Sequence, residues 1–347
     1  LAKSGQRVLV LERRQKVGGG SVSEEVTLPG FLHNLHSAFH RFVPDLPWYK
    51  DLDLERFGLS YYQADVQNLL PTSDERCICI HRDYKDTVRK LERFAPRDAK
   101  VFAEVYPRWR EMTQTYLVPE MYAPPIPEAE KFSMWEQTEL GRELIRLTKM
   151  SAADVIRETF EDPHLQALIL YFVAVKGWDW NDPGLGYQTV MSMVGAERAG
   201  VCIGGSGQLS NALFSALLTH GGVAFTDREV TEIMVEGGRA TGVRTQMGEE
   251  FRADKGVISA LNPHQTFEQC MDGDEHLGKE LMSKVRGYTY SRWKLFSVHL
   301  ALDEPPAYKC AKYDPDCQRA VNLCIGYESM QDLDDHLAEI TAGRLPE

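Results

Sequence analysis

The chain has 347 residues, 43% of them hydrophobic, enough to bury a sizeable core and to form two structural units. A formal net charge of −12 with no basic block argues against nucleic acid as the main partner. Seven cysteines, an odd number scattered along a long chain, suit a reducing compartment better than a disulfide framework, so a cytoplasmic location is expected.

In chain order, "LAKSGQ" reads as the last turn of a helix closed by Gly5 at its C-cap. "RVLVLE" then has the continuous aliphatic run of a strand buried on both faces, as in a parallel sheet. Helix, tight turn, apolar strand and terminal acid make the second half of a βαβ dinucleotide unit. There a carboxylate such as Glu12 accepts hydrogen bonds from the two ribose hydroxyls of an adenosine. Taken alone, Glu12 reads equally well as a polar residue ending a strand. Gly18, Gly19 and Gly20 let the backbone approach a cofactor where a side chain would block it.

The stretch "VLVLERRQKVGGGSVSEE" resembles the E-x-R-x-x-x-G-G segment of FAD-dependent oxidoreductases of the phytoene desaturase and amine oxidase superfamily. The resemblance implies that Glu12 holds the adenosine ribose, with Arg13 and Arg14 as candidates beside the ribose and pyrophosphate. It also implies that Gly18 and Gly19 let the chain pass the pyrophosphate. Gly20 stands where many members carry an arginine, which suits the desaturase-like branch. In "LPGFLHNLHSAFH", residues 28–40, the resemblance makes His36, Ser37 and Ala38 candidates for the wall of the flavin ring. His33, His36 and His40, spaced three and four apart, read equally as one face of a helix. A metal site at this spacing lacks a completing acid or cysteine cluster, and no metal is expected. The resemblance places the phosphate loop ahead of Leu1 and the closing flavin segment beyond Glu347, so the chain reads as an internal fragment.

Residues 59–83 read as strands, and in "ERCICIHRD" strict alternation puts Cys77, Cys79 and His81 on one face. With no fourth ligand in view, a buried cysteine pair is the better reading than zinc. From Tyr84 to about Thr115 the period is helical, with a stripe of Phe102, Val105, Tyr106, Trp109, Met112 and Tyr116. Such a stripe is core, or lines an entry for an apolar substrate. A proline-rich connection spans residues 117–132, and helices are expected over 134–148 and 151–159. "LQALILYFVAV" is too short to span a bilayer and reads as a buried helix. "KGWDWNDPGLGY" breaks the helical pattern with turn residues.

"VCIGGSGQLSNALFSALLTHGGVAFTDREV" imitates a second nucleotide-binding unit, with Asp227 about twenty residues after Gly205 and Gly207. Its third glycine position is Ser210, its leading strand is poor, and the G-x-S-x-G spacing of a serine nucleophile is missing. In the resembling family this segment returns the chain to the FAD domain. Strand, "EGGR" turn, strand, "MGEE" turn and strand follow, and then "GVISA" as a buried strand. By the resemblance Val230 offers its backbone to the adenine edge, and Ser259 and Ala260 sit at the tip of the returning strand close to the cofactor. Residues 291–306 alternate like a long strand. Cys310, Cys317 and Cys324 fall seven apart with Pro315 between them and receive no role.

The reading is an α/β fold: a Rossmann-like FAD-binding domain, with a parallel sheet and a three-stranded antiparallel meander, and an interleaved α+β substrate domain. The expected boundaries are 1–55 and 201–265 for the FAD-binding domain, and 56–200 and 266–347 for the substrate domain. The expected activity is FAD-dependent transfer of a hydride from an apolar substrate, as in phytoene desaturation. The alternatives are a flavin amine oxidase and a flavin-free relative like the prenyl-protein chaperones. The expected partner is a small apolar or amine substrate, and an apolar one is compatible with peripheral contact at a membrane.

Overall fold

The structure is a computed structural model and describes residues 1–290 and 295–345. The chain divides into two compact units, one of Leu1–Ala38, Pro44–Ser60 and Cys202–Tyr290, the other of Phe39–Val43, Tyr61–Val201 and the rest of the C-terminal segment. In chain order the first elements are β1 (Leu9–Leu11), β2 (Ser23–Glu24), β3 (His33–Asn34), β4 (His40–Arg41), α1 (Pro47–Asp51), β5 (Tyr61–Tyr62), β6 (Val66–Pro71) and β7 (Cys77–His81). A helical stretch follows: α2 (Tyr84–Phe94), α3 (Pro96–Met112), α4 (Val118–Glu120), α5 (Glu128–Trp135), α6 (Glu139–Leu147), α7 (Ala152–Thr159), α8 (Pro163–Ala174) and α9 (Tyr187–Glu197). Then come β8 (Ala199–Cys202), α10 (Gly207–Thr219), β9 (Val223–Phe225), β10 (Val230–Glu236), β11 (Arg239–Thr245) and β12 (Glu250–Arg252). The last are α11 (Gly273–His276), α12 (Lys279–Gly287), β13 (Asn322–Leu323) and α13 (Met330–Thr341).

In the first unit β1 pairs in parallel with β9, Leu9 opposite Val223 and Leu11 opposite Phe225. Gly5 caps the turn before β1 with φ of 82°, donating its N–H to Ala2. The antiparallel meander forms as a sheet in the order β10-β11-β12. Two expectations fail here. β1 is not buried on both faces: Leu9 and Val10 are about two-fifths exposed, because β9 alone flanks the strand among the described residues. Residues 256–260 form no strand, and Ile258 is 79% exposed, since no described strand lies beside them to satisfy their backbone.

The second unit carries the larger core. The stripe of α3 packs inward through Phe102, Tyr106, Trp109 and Met112, and α8 adds Leu165, Leu168, Ile169 and Phe172. Asp162 caps α8 through the amides of His164 and Leu165, and Pro163 opens its first turn. The fully buried Asp98 accepts from the amides of Glu161 (3.1 Å) and Asp162 (2.7 Å), fixing the entry to α8. The expected helix over 134–148 is two helices, because Thr138 caps α6 by accepting from Gly141. Among the described residues no helix is long and apolar enough to cross a membrane.

β13 runs parallel to β6, and β6 antiparallel to β7. Every residue of β7 is buried, so Cys77, Cys79 and His81 do not face a single open surface. Cys310 and Cys317 join Cys77 and Cys79 in one buried cluster, and Cys324 enters the main core. All seven cysteines are free thiols. The long strand expected over 291–306 falls partly outside the described residues; 295–302 form neither helix nor strand, and Phe296 is 91% exposed. The three histidines do not share a helical face, because His33 lies in β3 and His40 in β4.

Candidate functional site

Within the first unit, Glu12 stands just past the carboxyl end of β1, where α/β folds place ligands. Backbone pairing continues beyond the strand: the N–H of Glu12 donates to Phe225 (2.9 Å), and its carbonyl accepts from Arg228 (2.9 Å). The Glu12 carboxylate accepts the Arg14 amide through Oε1 at 2.8 Å, which holds the side chain at the strand tip and leaves Oε2 without a protein donor among the described residues. Arg13 and Arg14 are exposed beside it.

The three glycines differ in their surroundings. Gly18 has φ of 129°, and a Cβ there would stand 2.6 Å from Ser210 Oγ and 2.7 Å from the Ser21 carbonyl. It is the contact that seats the loop on α10. A Cβ at Gly19 or Gly20 would meet nothing within 4 Å, so the open side of the loop lies there. The β2–β3 hairpin pairs Ser23 with Asn34, and its ladder continues as Leu35 N–H to Val22 and Ser37 N–H to Gly20, each 3.2 Å. Ser37 and the glycine triplet therefore lie side by side, with His36 exposed next to them.

The second glycine cluster docks onto this same hairpin. Asn34 Oδ1 accepts from the Ser206 amide (2.8 Å) and from Ser23 Oγ (2.8 Å), while Ser23 Oγ accepts from the Gly207 amide at 3.0 Å. Ser210 Oγ donates to the Ser21 carbonyl at 3.2 Å. The first amides of α10, which would cradle a phosphate in a second nucleotide site, are thus held by the chain's own side chains. Gly205, with φ of 89°, lies where a Cβ would stand 2.5 Å from Ser23 Oγ. Ser21, Ser23, Asn34 and Ser206, which hold this docking together, are residues that sequence reasoning passed over. The signal was the pair of serines directly after the glycines.

Val230 opens β10, and its carbonyl accepts from Cys270 Sγ at 3.6 Å. Ser259 Oγ bonds Thr266 Oγ1 at 2.7 Å and accepts the Leu261 amide, and Ala260 is exposed. Among the described residues no hydrogen bond joins Val230, Ser259 or Ala260 to the 12–20 segment.

The second unit holds two further polar features. A cavity of about 710 Å³ is lined by His81, Arg82, Tyr84, Lys90, Arg110 and Glu197 among others. Its charges largely neutralise one another: Lys90 meets Asp314 and Asp316 at 2.8 Å, and Arg110 meets Glu197 at 3.6 Å. His81 is buried there, which pushes its pKa down. Elsewhere in the unit Arg41 and Lys176 lie close together. Burial lowers Arg41 to about 10, and burial with the Arg41 charge lowers Lys176 to about 7.

Residues 1–306 match the family described as flavin containing amine oxidoreductase. The chain belongs to this family. Proteins of this family are flavin-containing oxidoreductases. The chain is similar to one of the subunits of limonene dehydrogenase from Castellaniella defragrans, 31% identical over 99% of this chain and 64% of that protein. It is also similar to pyridine nucleotide-disulfide oxidoreductase domain-containing protein 2 of Rattus norvegicus, 25% identical over 92% of this chain and 59% of that protein. It spans about three-fifths of the length of these curated relatives. Among solved structures, an oxidoreductase from Methanosarcina mazei matches with TM-score 0.57 and 17% identity, over 82% of this chain and 60% of that one. A putrescine oxidase matches with TM-score 0.51 and 16% identity, over 82% and 58%. These two show a shared fold.

The residues present fit the adenosine and pyrophosphate end of FAD. A carboxylate with one oxygen open stands at a strand tip, and two glycines leave room beside it.

Proposed function

We propose that the protein of which this chain is part is an FAD-dependent dehydrogenase acting on a small apolar substrate. The bound flavin would accept a hydride from a substrate C–H bond. Glu12 would accept the ribose hydroxyls through its open carboxylate oxygen, with Arg13 and Arg14 beside the pyrophosphate. Gly18, Gly19 and Gly20 would keep the loop thin enough for close passage. His36 and Ser37, held next to Gly20 by the hairpin ladder, would form a wall toward the flavin ring. Val230 would face the adenine edge, and Ser259 and Ala260 would close the cofactor side of the first unit. The second unit, with its apolar helical core, would bind the substrate.

The observation that carries this reading is the fixed Glu12 carboxylate beside an open glycine loop, in a chain similar to part of a limonene dehydrogenase. The test is anaerobic addition of monocyclic terpene hydrocarbons and of primary amines to the flavin-loaded full-length protein. Bleaching of the flavin absorbance by hydrocarbons and not by amines is expected. Bleaching by amines alone would replace the dehydrogenase reading with an amine oxidase.

A further inference from the structure

Arg41 and Lys176 are two neighbouring cations inside the second unit, and among the described residues no carboxylate pairs with either. Elsewhere the chain pairs such groups: Arg110 meets Glu197, and Arg146 meets Glu158 at 2.9 Å. The Nη1 of Arg41 is buried without a hydrogen-bond partner, and so is Ser192 Oγ. One helix face gathers the group. Gln188, Ser192 and Gly195 recur at i, i+4 and i+7 along α9. Gln188 Oε1 accepts from Lys176 Nζ at 3.3 Å, and a Cβ on Gly195 would stand 3.1 Å from Arg41 Cδ. Aromatic rings flank both cations, Phe39 at 5.6 Å from Arg41 and Trp178 at 5.3 Å from Lys176. Two adjacent cations that repel each other and have lost hydration are unfavourable by several kcal/mol unless an anion completes the arrangement.

We propose that Arg41 and Lys176 are a receptor for the carboxylate of a small organic acid with an apolar body. The planar guanidinium gives the carboxylate a two-point contact, the ammonium adds a third donor, and Ser192 adds a neutral one. The flanking rings take the apolar body. This rests on the second unit being the substrate-binding part, and it adds to the apolar substrates proposed above a second ligand class, carboxylates with an apolar body.

The test is calorimetric titration of the full-length protein with cyclohexanecarboxylate and with its neutral counterpart cyclohexylmethanol. Saturable 1:1 binding of the acid is expected, at least about 10-fold tighter than the alcohol. Arg41→Met and Lys176→Met should each weaken the acid by at least about 10-fold, and Lys176→Arg should retain it within a few-fold. Equal binding of acid and alcohol, unchanged acid binding in both methionine variants, or no saturable binding of either cyclohexanecarboxylate or hexanoate would overturn the proposal. The readout needs no flavin reduction, so failure of hydrocarbons to bleach the flavin leaves it intact. Lys176→Met removes an unpaired buried charge and should fold at least as well as the parent.

Discussion

The Lys176→Met variant also has a calculable effect on stability. The amine titrates at about 7 in the folded protein against 10.5 when solvated. Below pH 7 both states are protonated, and the folded state bears the full penalty of a buried charge. At about 1.4 kcal/mol per factor of ten, that penalty is of order 5 kcal/mol. Between 7 and 10.5 the unfolded chain binds more protons than the folded one, so stability rises with pH through this window. By pH 9 about 2 kcal/mol of the penalty remains. Methionine fills similar space without the charge, so the variant should be more stable than the parent, and its advantage should shrink by about 3 kcal/mol from pH 6 to pH 9. Urea unfolding of both proteins at several pH values measures this directly, because all other titrating groups cancel in the difference. An advantage that does not change with pH would refute the assignment of a desolvated amine at position 176.

Three further outcomes follow from the packing. Gly205→Ala forces a side chain into the Ser23 hydroxyl at a positive φ and should destabilise the first unit by about 2 kcal/mol or more, read as a lower urea midpoint. Asp98→Ala leaves the buried Glu161 and Asp162 amides without an acceptor and should lower stability by about 3 kcal/mol in the same assay. All seven thiols are buried, and burial pushes Cys324 up to about 12. A thiol reagent at pH 8 should therefore find none in the native protein within minutes and seven after denaturation.

Local patterns in the sequence carry over well where the structure they specify is itself local. The turn glycines of "EGGR" and "MGEE" are enough to set the β10-β11-β12 meander, and the stripe from Phe102 to Met112 is enough to orient α3. Features that depend on distant partners do not. "RVLVLE" has the composition of a doubly covered strand, but its exposure depends on what lies beside it, and β9 alone does so among the described residues. "GVISA" has the same composition and no neighbour, so it forms no strand. The histidine spacing suggests a helix, whereas His33 lies in β3 and the bonds of Leu35 and Ser37 to Val22 and Gly20 continue its ladder, so residues 33–37 form no helix. Nothing in the sequence brings Cys310 to Cys77, or Lys176 to Arg41, because only the packed fold does so. In the candidate site the acid and the glycines were legible from their types. The docking of Ser23 and Asn34 on the second glycine cluster was not, since hydroxyl and amide side chains are common in turns.

Glu12 and the open glycine loop are proposed to form the adenosine end of an FAD site. The most direct measurement is the visible absorbance of the desalted full-length protein beside its Glu12→Ala variant, each reloaded with FAD. The parent should keep its flavin bands through desalting, and the variant should bind FAD at least about 10-fold more weakly. A parent that stays colourless in the presence of FAD, or a variant that holds FAD as tightly as the parent, would contradict it.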